Sequence, residues 1–138
     1  MQKNNWIYSK KVKEHFFNPR NVLAGKPKKG EFNAYGKTGG IKCGDLMEVW
    51  LLIDEKTKKI KEMKWKTFGC ASAIASTSVL SEMVKGKTLK QALAIKPQEI
   101  VRKLGGLPAL KIHCSVMGDR ALESAIANYQ SKKNPKSK

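Results

Sequence analysis

The stretch LMEVWLLIDEKTKKIKEMKWKTFGCASAIASTSVLSEMVK (residues 46–85) decides the fold. Its first residues alternate, with Met47, Val49, Leu51 and Ile53 sharing one face, as a half-buried strand requires. The polar run DEKTKK makes a turn. Residues 60–68 then alternate again, Met63 and Trp65 against Lys64 and Lys66, so the two runs predict an antiparallel hairpin. After it the pattern changes. Residues 71–85 carry small side chains followed by Leu80, Met83 and Val84, a helical segment that Gly86 is placed to end.

Upstream, Ser9 is suited to cap a short helix with Val12 and Phe16 on one face, ending before Asn18-Pro19. Residues 20–42 are rich in Gly, Lys and Asn and read as loop with one short strand around 31–36. Downstream, Thr88 and Gln91 have capping-box spacing, and Pro97 suits the first position of a helix that ends at Gly105-Gly106. Leu122, Ala125, Ile126 and Tyr129 place a last helix over about 115–129. Residues 1–130 are expected to form a single domain, and the basic tail 131–138 to be disordered.

A chain of 138 residues, 41% of them hydrophobic, can bury a core of its own. The apolar runs are far too short to cross a bilayer, which argues against a membrane protein. MQKNNWIYSKK at the start has charge but no apolar h-region, so no secretory signal is expected. Three cysteines are an odd count, and reduced thiols in a cytoplasmic compartment are the simpler reading. Basic residues outnumber acidic ones 28 to 11, a net charge of +17. That raises nucleic acid as a partner. The lysines, however, are spread along the chain, with no arginine-rich helix and no ribonucleoprotein signature. A solvated surface, or an acidic protein partner, is the better reading than a specific nucleic-acid site.

The cysteines fall at informative places. Cys43 lies in GGIKCGD, in a glycine-rich loop entering the first long strand. Cys70 lies in KTFGCAS, where the second strand gives way to a helix, and Cys114 in LPALKIHCS, just before the last helix. Structural cysteines are usually buried inside such elements rather than at their ends. At a helix start the unpaired N–H groups favour an anion, and Lys42 and Lys111 add positive charge, so thiolates form readily there. Asp45 stands two residues beyond Cys43, and His113 abuts Cys114. If the loops converge, three sulfurs, an imidazole and a carboxylate meet: ligand types for zinc or for an iron–sulfur cluster. They outnumber the places of a tetrahedral ion, as a site that exchanges ligands would. There is no C-x-x-C pair, and the gaps of 27 and 44 residues match no zinc-finger template. A nucleophile–base pair of Cys114 with His113 is disfavoured, because adjacent residues rarely oppose their side chains.

Together, YSKKVKEHFFNPRNV (8–22), CGD (43–45), KTFGCASAIAS (66–76), SEMVKGK (81–87) and LPALKIHCS (107–115) resemble the signatures of the IscU family, which includes the N-terminal scaffold domain of NifU. The resemblance spans roughly residues 6–130. It implies an α+β fold, a small, mostly antiparallel three-stranded sheet packed against several helices. It implies a scaffold, not a turnover enzyme, on which a transient [2Fe–2S] cluster is assembled from iron and desulfurase-derived persulfide sulfur and then transferred to acceptor apoproteins. The implied ligands are Cys43, Asp45, Cys70, His113 and Cys114, with zinc a guest of the cluster-free form; Cys114, at a helix start near Lys111, is the expected persulfide acceptor and Cys43 the alternative. The implied partners are a cysteine desulfurase, a frataxin-like protein and a ferredoxin as iron and electron donors, and a DnaK-like chaperone with its co-chaperone. That chaperone would bind Leu107, Pro108, Ala109, Leu110 and Lys111, where Ala109 replaces a usual second proline. Possession of His113 and a short gap between Cys70 and Cys114 resembles the scaffold branch rather than the zinc-dependent sulfur-transfer branch. The competing reading of the charge is a zinc-stabilised, basic nucleic-acid-binding module, which would bind nucleic acid in a salt-sensitive way.

Overall fold

The computed structural model describes residues 10–40, 45–68, 71–105 and 116–133. Eight elements follow one another: α1 (Lys10–Phe17), β1 (Ala34–Gly40), β2 (Asp45–Ile53), β3 (Ile60–Phe68), α2 (Ala71–Val84), α3 (Leu89–Leu93), α4 (Pro97–Lys103) and α5 (Val116–Lys133). The strands form an antiparallel sheet in the order β1-β2-β3. An α+β fold with helices packed on a three-stranded sheet is what the sequence implied.

The hairpin stands where the alternation put it. Met47, Val49, Leu51 and Ile53 are all at most 2% exposed, and Ile60, Met63 and Trp65 face the same core. The turn is held by Asp54, whose Oδ1 accepts the amides of Lys56 (2.8 Å) and Thr57 (3.1 Å). Those two amides hold its carboxyl below the usual range. At the Leu52/Ile53 irregularity the Asn33 side chain acts as a peptide group, donating from Nδ2 to the Ile53 carbonyl and accepting from its amide, both at 2.8 Å. The outer edge of β3 is closed by residues 21–23. The Leu23 amide donates to the Trp65 carbonyl (2.9 Å), and the Trp65 indole donates to the Arg20 carbonyl (2.8 Å). Covering an edge in this way removes a template for unwanted strand pairing.

β1 corrects one expectation. The strand occupies 34–40 rather than 31–36. It contains Gly36, Gly39 and Gly40, and glycine weakens strand propensity enough to hide it from pattern reading. Gly36 is required by packing: a Cβ there would lie 2.2 Å from the Ala125 amide nitrogen and 2.5 Å from the Ala121 carbonyl oxygen. The backbone of α5 rests directly on the strand.

α2 is enclosed. From Ala75 to Ser81 every residue is buried, and the helix touches α1, β3, α4 and α5. A helix packed on all sides needs small residues where backbones approach, which accounts for its run of Ala, Ser and Thr. Gly86, at φ +85°, ends that segment as expected. Thr88 and Gln91 make the expected capping box, at 3.0 and 3.1 Å, and Pro97 opens α4. α5 runs four residues past Tyr129, so the first three residues of the expected tail are helical. Among the described residues no helix is long and apolar enough to cross a membrane.

Candidate functional site

Of the ligand residues singled out from the sequence, only Asp45 lies among the described residues. Asp45 opens β2 and its backbone pairs with Gly40. Cys43, Cys70, His113 and Cys114 lie outside the described residues, as do the Leu107, Pro108, Ala109, Leu110 and Lys111 of the expected chaperone stretch. The connections that carry them begin and end at described residues.

Those anchor points cluster. The Gly40↔Asp45 pair closes the connection that contains Cys43. One residue further along β2, Leu46 pairs with Phe68, and from Phe68 the chain passes through Cys70 into α2 at Ala71. α2 then runs back along β3 to the far end, where the Gly86 amide donates to the Ile60 carbonyl at 2.8 Å. α5 has the same sense. Its Asn128 Oδ1 accepts the Tyr35 amide (3.3 Å), and its Tyr129 hydroxyl donates to Glu55 in the hairpin turn (2.9 Å). Ala121 and Ala125 cover Gly36. From Ala125 back to Val116 the helix rises about 13 Å, and β1 covers a similar span, about 13 Å, from Gly36 to Gly40. α5 therefore runs antiparallel to β1 with its first residues directed toward the Gly40–Asp45 end. Two helices of 14 and 18 residues thus begin toward the end where β1 gives way to β2. Their N-terminal amides favour anions such as thiolates and sulfide.

The first turn of α5 holds a group that sequence reading missed. Asp119 is only 9% exposed, and its Oδ1 has no hydrogen-bond partner among the described residues. Burial, with a smaller push from Glu123, raises its pKa to about 6. Beside it, a Cβ on Gly118 would stand 2.6 Å from Thr77 Oγ1, a second buried polar atom without a partner among the described residues. An acid one helical turn before Leu122, on the same face as that core residue, was the available sign. A carboxyl that changes charge near neutrality therefore stands five residues after Cys114.

A second polar cluster pins α1 to α2. Ser78 Oγ lies 2.7 Å from His15 Nδ1 and accepts the Arg20 amide at 2.9 Å, so its own hydroxyl proton is free to donate to a neutral imidazole. Burial first, then the Arg20 guanidinium, hold the His15 pKa down, against Glu82, whose Oε1 lies 3.9 Å from Nε2. Arg20 also donates to Glu14 at 2.6 Å. A cavity of about 340 Å³ opens between these side chains and Lys103. Its two carboxylates, Glu14 and Glu82, both pair with Arg20.

Residues 7–136 match the family model described as the NifU-like N-terminal domain. The chain is 49% identical over 125 residues to a nitrogen fixation protein NifU from Azotobacter chroococcum, an alignment covering 91% of this chain and 39% of that protein. It is 44% identical over 131 residues to the mitochondrial iron sulfur cluster assembly protein 1 of Debaryomyces hansenii, covering 94% of this chain and 72% of that one. The fold matches a crystal structure of a NifU-like N-terminal protein from Brucella abortus with a TM-score of 0.67 at 18% identity, covering 93% and 97% of the two chains. The chain spans about two fifths of the length of the NifU relatives it matches, between 39% and 42%.

Proposed function

Because the chain belongs to the family of NifU-like N-terminal domains, we propose that it is a scaffold on which an iron–sulfur cluster is assembled and from which the cluster is passed to acceptor apoproteins. The observation that carries this reading is the shared anchoring of the three connections. Those bearing Cys43 and Cys70 attach at the end of the sheet where Gly40 pairs with Asp45, and the one bearing His113–Cys114 leads into α5, which begins toward that end. Relatives named for iron–sulfur cluster assembly support it.

On this reading the cargo is a [2Fe–2S] cluster held by a subset of Cys43, Asp45, Cys70, His113 and Cys114. Sulfur arrives from a cysteine desulfurase. The Cys114 thiolate attacks the outer sulfur of the desulfurase persulfide, forming a new S–S bond and releasing the desulfurase thiolate. Two such deliveries give two persulfide sulfurs, whose reduction to two sulfides takes four electrons, two from a ferredoxin-type donor and two from the two ferrous ions, supplied with a frataxin-like protein, as they become the ferric irons of the cluster. The N-terminal amides of α2 and α5 stabilise the anionic sulfur species. Five candidate donors for the four terminal places of a [2Fe–2S] cluster let one ligand leave as an acceptor's thiolate enters. The chain is consumed and regenerated as a carrier rather than turning over a substrate. Its thiols suit a reducing compartment such as the cytoplasm. The same sulfur and nitrogen donors suit zinc when iron is absent.

Anaerobic reconstitution with ferrous iron and sulfide tests the reading. The protein should turn red-brown and transfer the colour to an apo-ferredoxin. A colourless protein that retains only zinc under those conditions overturns it.

A further inference from the structure

The helices cover one face of the sheet. Gly36, Val49 and Trp65 share a row on that face, and α5 lies on Gly36. The alternate residues point away. Tyr35, Trp50 and Lys64 form one row, Lys37, Glu48 and Lys66 the next, and Leu46 with Phe68 a third. Trp50, Leu46 and Tyr35 are half-buried and Phe68 is 62% exposed. An apolar, aromatic sheet face left without helices is a surface in search of cover.

The chain itself supplies part of that cover and leaves a socket. Between β3's edge and β1, residues 24–33 cross this face, tethered where Lys66 Nζ donates to the Gly25 carbonyl. Beneath the crossing, Pro27, Lys28, Phe32, Ala34, Tyr35 and Trp50 line a cavity of about 150 Å³. A void of this size, about that of an engineered cavity that takes benzene, admits one side chain. The Tyr35 and Trp50 rings stand 5.4 Å apart, and the Tyr35 hydroxyl donates to Glu48 at 2.6 Å, which fixes the wall.

Charge selects the occupant. Lys28 and Lys37 are exposed and make no ion pair among the described residues, although Glu31 accepts the Lys28 amide at 2.9 Å and Glu48 stands opposite Lys37 in the register; Lys26 and Lys29 stand beside Lys28. Glu48 and Glu62 sit between the lysines, Glu62 paired with Lys64 at 3.5 Å. Fixed carboxylates inside the basic rows oppose a continuous phosphate backbone, whereas a protein can place its acids opposite the lysines and an apolar residue in the socket. We propose that this face is a docking surface for an acidic protein partner that inserts one apolar side chain between Phe32, Tyr35 and Trp50. Its carboxylates face Lys28 and Lys37. An aromatic-lined socket inside a charged rim is the arrangement that concentrates binding energy at protein interfaces. Trp50 stands five residues along β2 from Asp45, about 17 Å away. The partner therefore holds the scaffold while the Gly40–Asp45 end remains open.

The test is an NMR titration of the full, isotope-labelled chain with a capped acidic peptide carrying a single central leucine. Saturable shifts are expected at the Trp50 indole and at the amides of residues 27–35, weakening with added salt. Replacing the leucine by alanine in the peptide should weaken binding about tenfold. Lys28→Glu combined with Lys37→Glu, both on the surface, should weaken it about fivefold at low salt with an unchanged melting temperature. The proposal is overturned if the leucine makes no difference, if these residues do not respond, or if an oligothymidylate competes at the same amides more tightly than the peptide.

Discussion

Gly36 of β1 lies under Ala125 of α5 so closely that a methyl group on its Cα would stand 2.2 Å from the Ala125 amide nitrogen. The obstacle is helix backbone, which cannot rotate aside. Gly36→Ala must push α5 off the sheet, and overpacking of this kind costs about 3 kcal/mol. Urea denaturation followed by circular dichroism should show that loss. A variant as stable as the parent would mean that the contact is not tight.

The Ser78 hydroxyl holds two segments at once, the Arg20 amide and the His15 imidazole. Ser78→Ala strands the Arg20 amide and should cost about 1–2 kcal/mol. His15 adds a pH dependence. Its pKa is lowered in the folded chain by burial and then by Arg20, so the unfolded chain binds the proton more readily. Stability is therefore full above the ordinary histidine value, about 6.5, and falls as pH drops below it. His15→Gln should flatten that acid limb.

Asp119 works in the opposite direction. Its pKa of about 6 in the folded chain lies above the ordinary carboxyl value, so the folded chain holds the proton more tightly. The stability it contributes is full below about 3.9 and is lost as pH rises through about 6. Asp119→Asn keeps the shape, removes the charge, and should raise stability at pH 7 by about 1–3 kcal/mol while leaving stability at pH 4 nearly unchanged. Thermal melts across that range decide it, and equal gains at both ends would exclude a titration effect.

Much of this architecture was legible because local pattern and tertiary role coincide. Met47, Val49, Leu51 and Ile53 alternate because one face meets helices and the other does not, and that asymmetry is written in the residues. Thr88, Gln91 and Pro97 act within a single turn, so their spacing alone is informative. β1 was misplaced because its Gly36 serves a contact made with residues 85 or more positions later, which no local window contains. Asp119 escaped notice for a related reason: its burial is set by the elements packed around α5 and not by its own neighbours in sequence. The candidate site was legible in its residue types and its placement at element ends. The outward sheet face was legible only as charge, because Tyr35, Trp50 and Lys64 become a row through strand register alone.

Desulfurase-driven labelling should put the persulfide chiefly on Cys114. Cys114 precedes α5, whose N-terminal amides favour a thiolate, and Lys111 stands nearby in sequence. Peptide mapping after alkylation reads the site. Predominant labelling of Cys43 would assign the acceptor to the connection between β1 and β2 instead.

Asp45 should make the cluster transferable rather than hold it. A carboxylate oxygen is a hard donor and binds iron less firmly than a thiolate does, so a site that includes one gives up its cargo more readily. Asp45→Ala removes that donor without touching the Gly40↔Asp45 pairing, which is made by the backbone, so the strand and the sheet should persist. With the carboxylate gone, the remaining cysteine and histidine donors keep the iron. The reconstituted variant should lose its visible absorbance several-fold more slowly than the parent when challenged with an apo-ferredoxin, and circular dichroism should be unchanged. A cluster that decays faster in Asp45→Ala, in a protein of parental secondary structure, would show that the carboxylate anchors the cargo and that release is governed by another ligand.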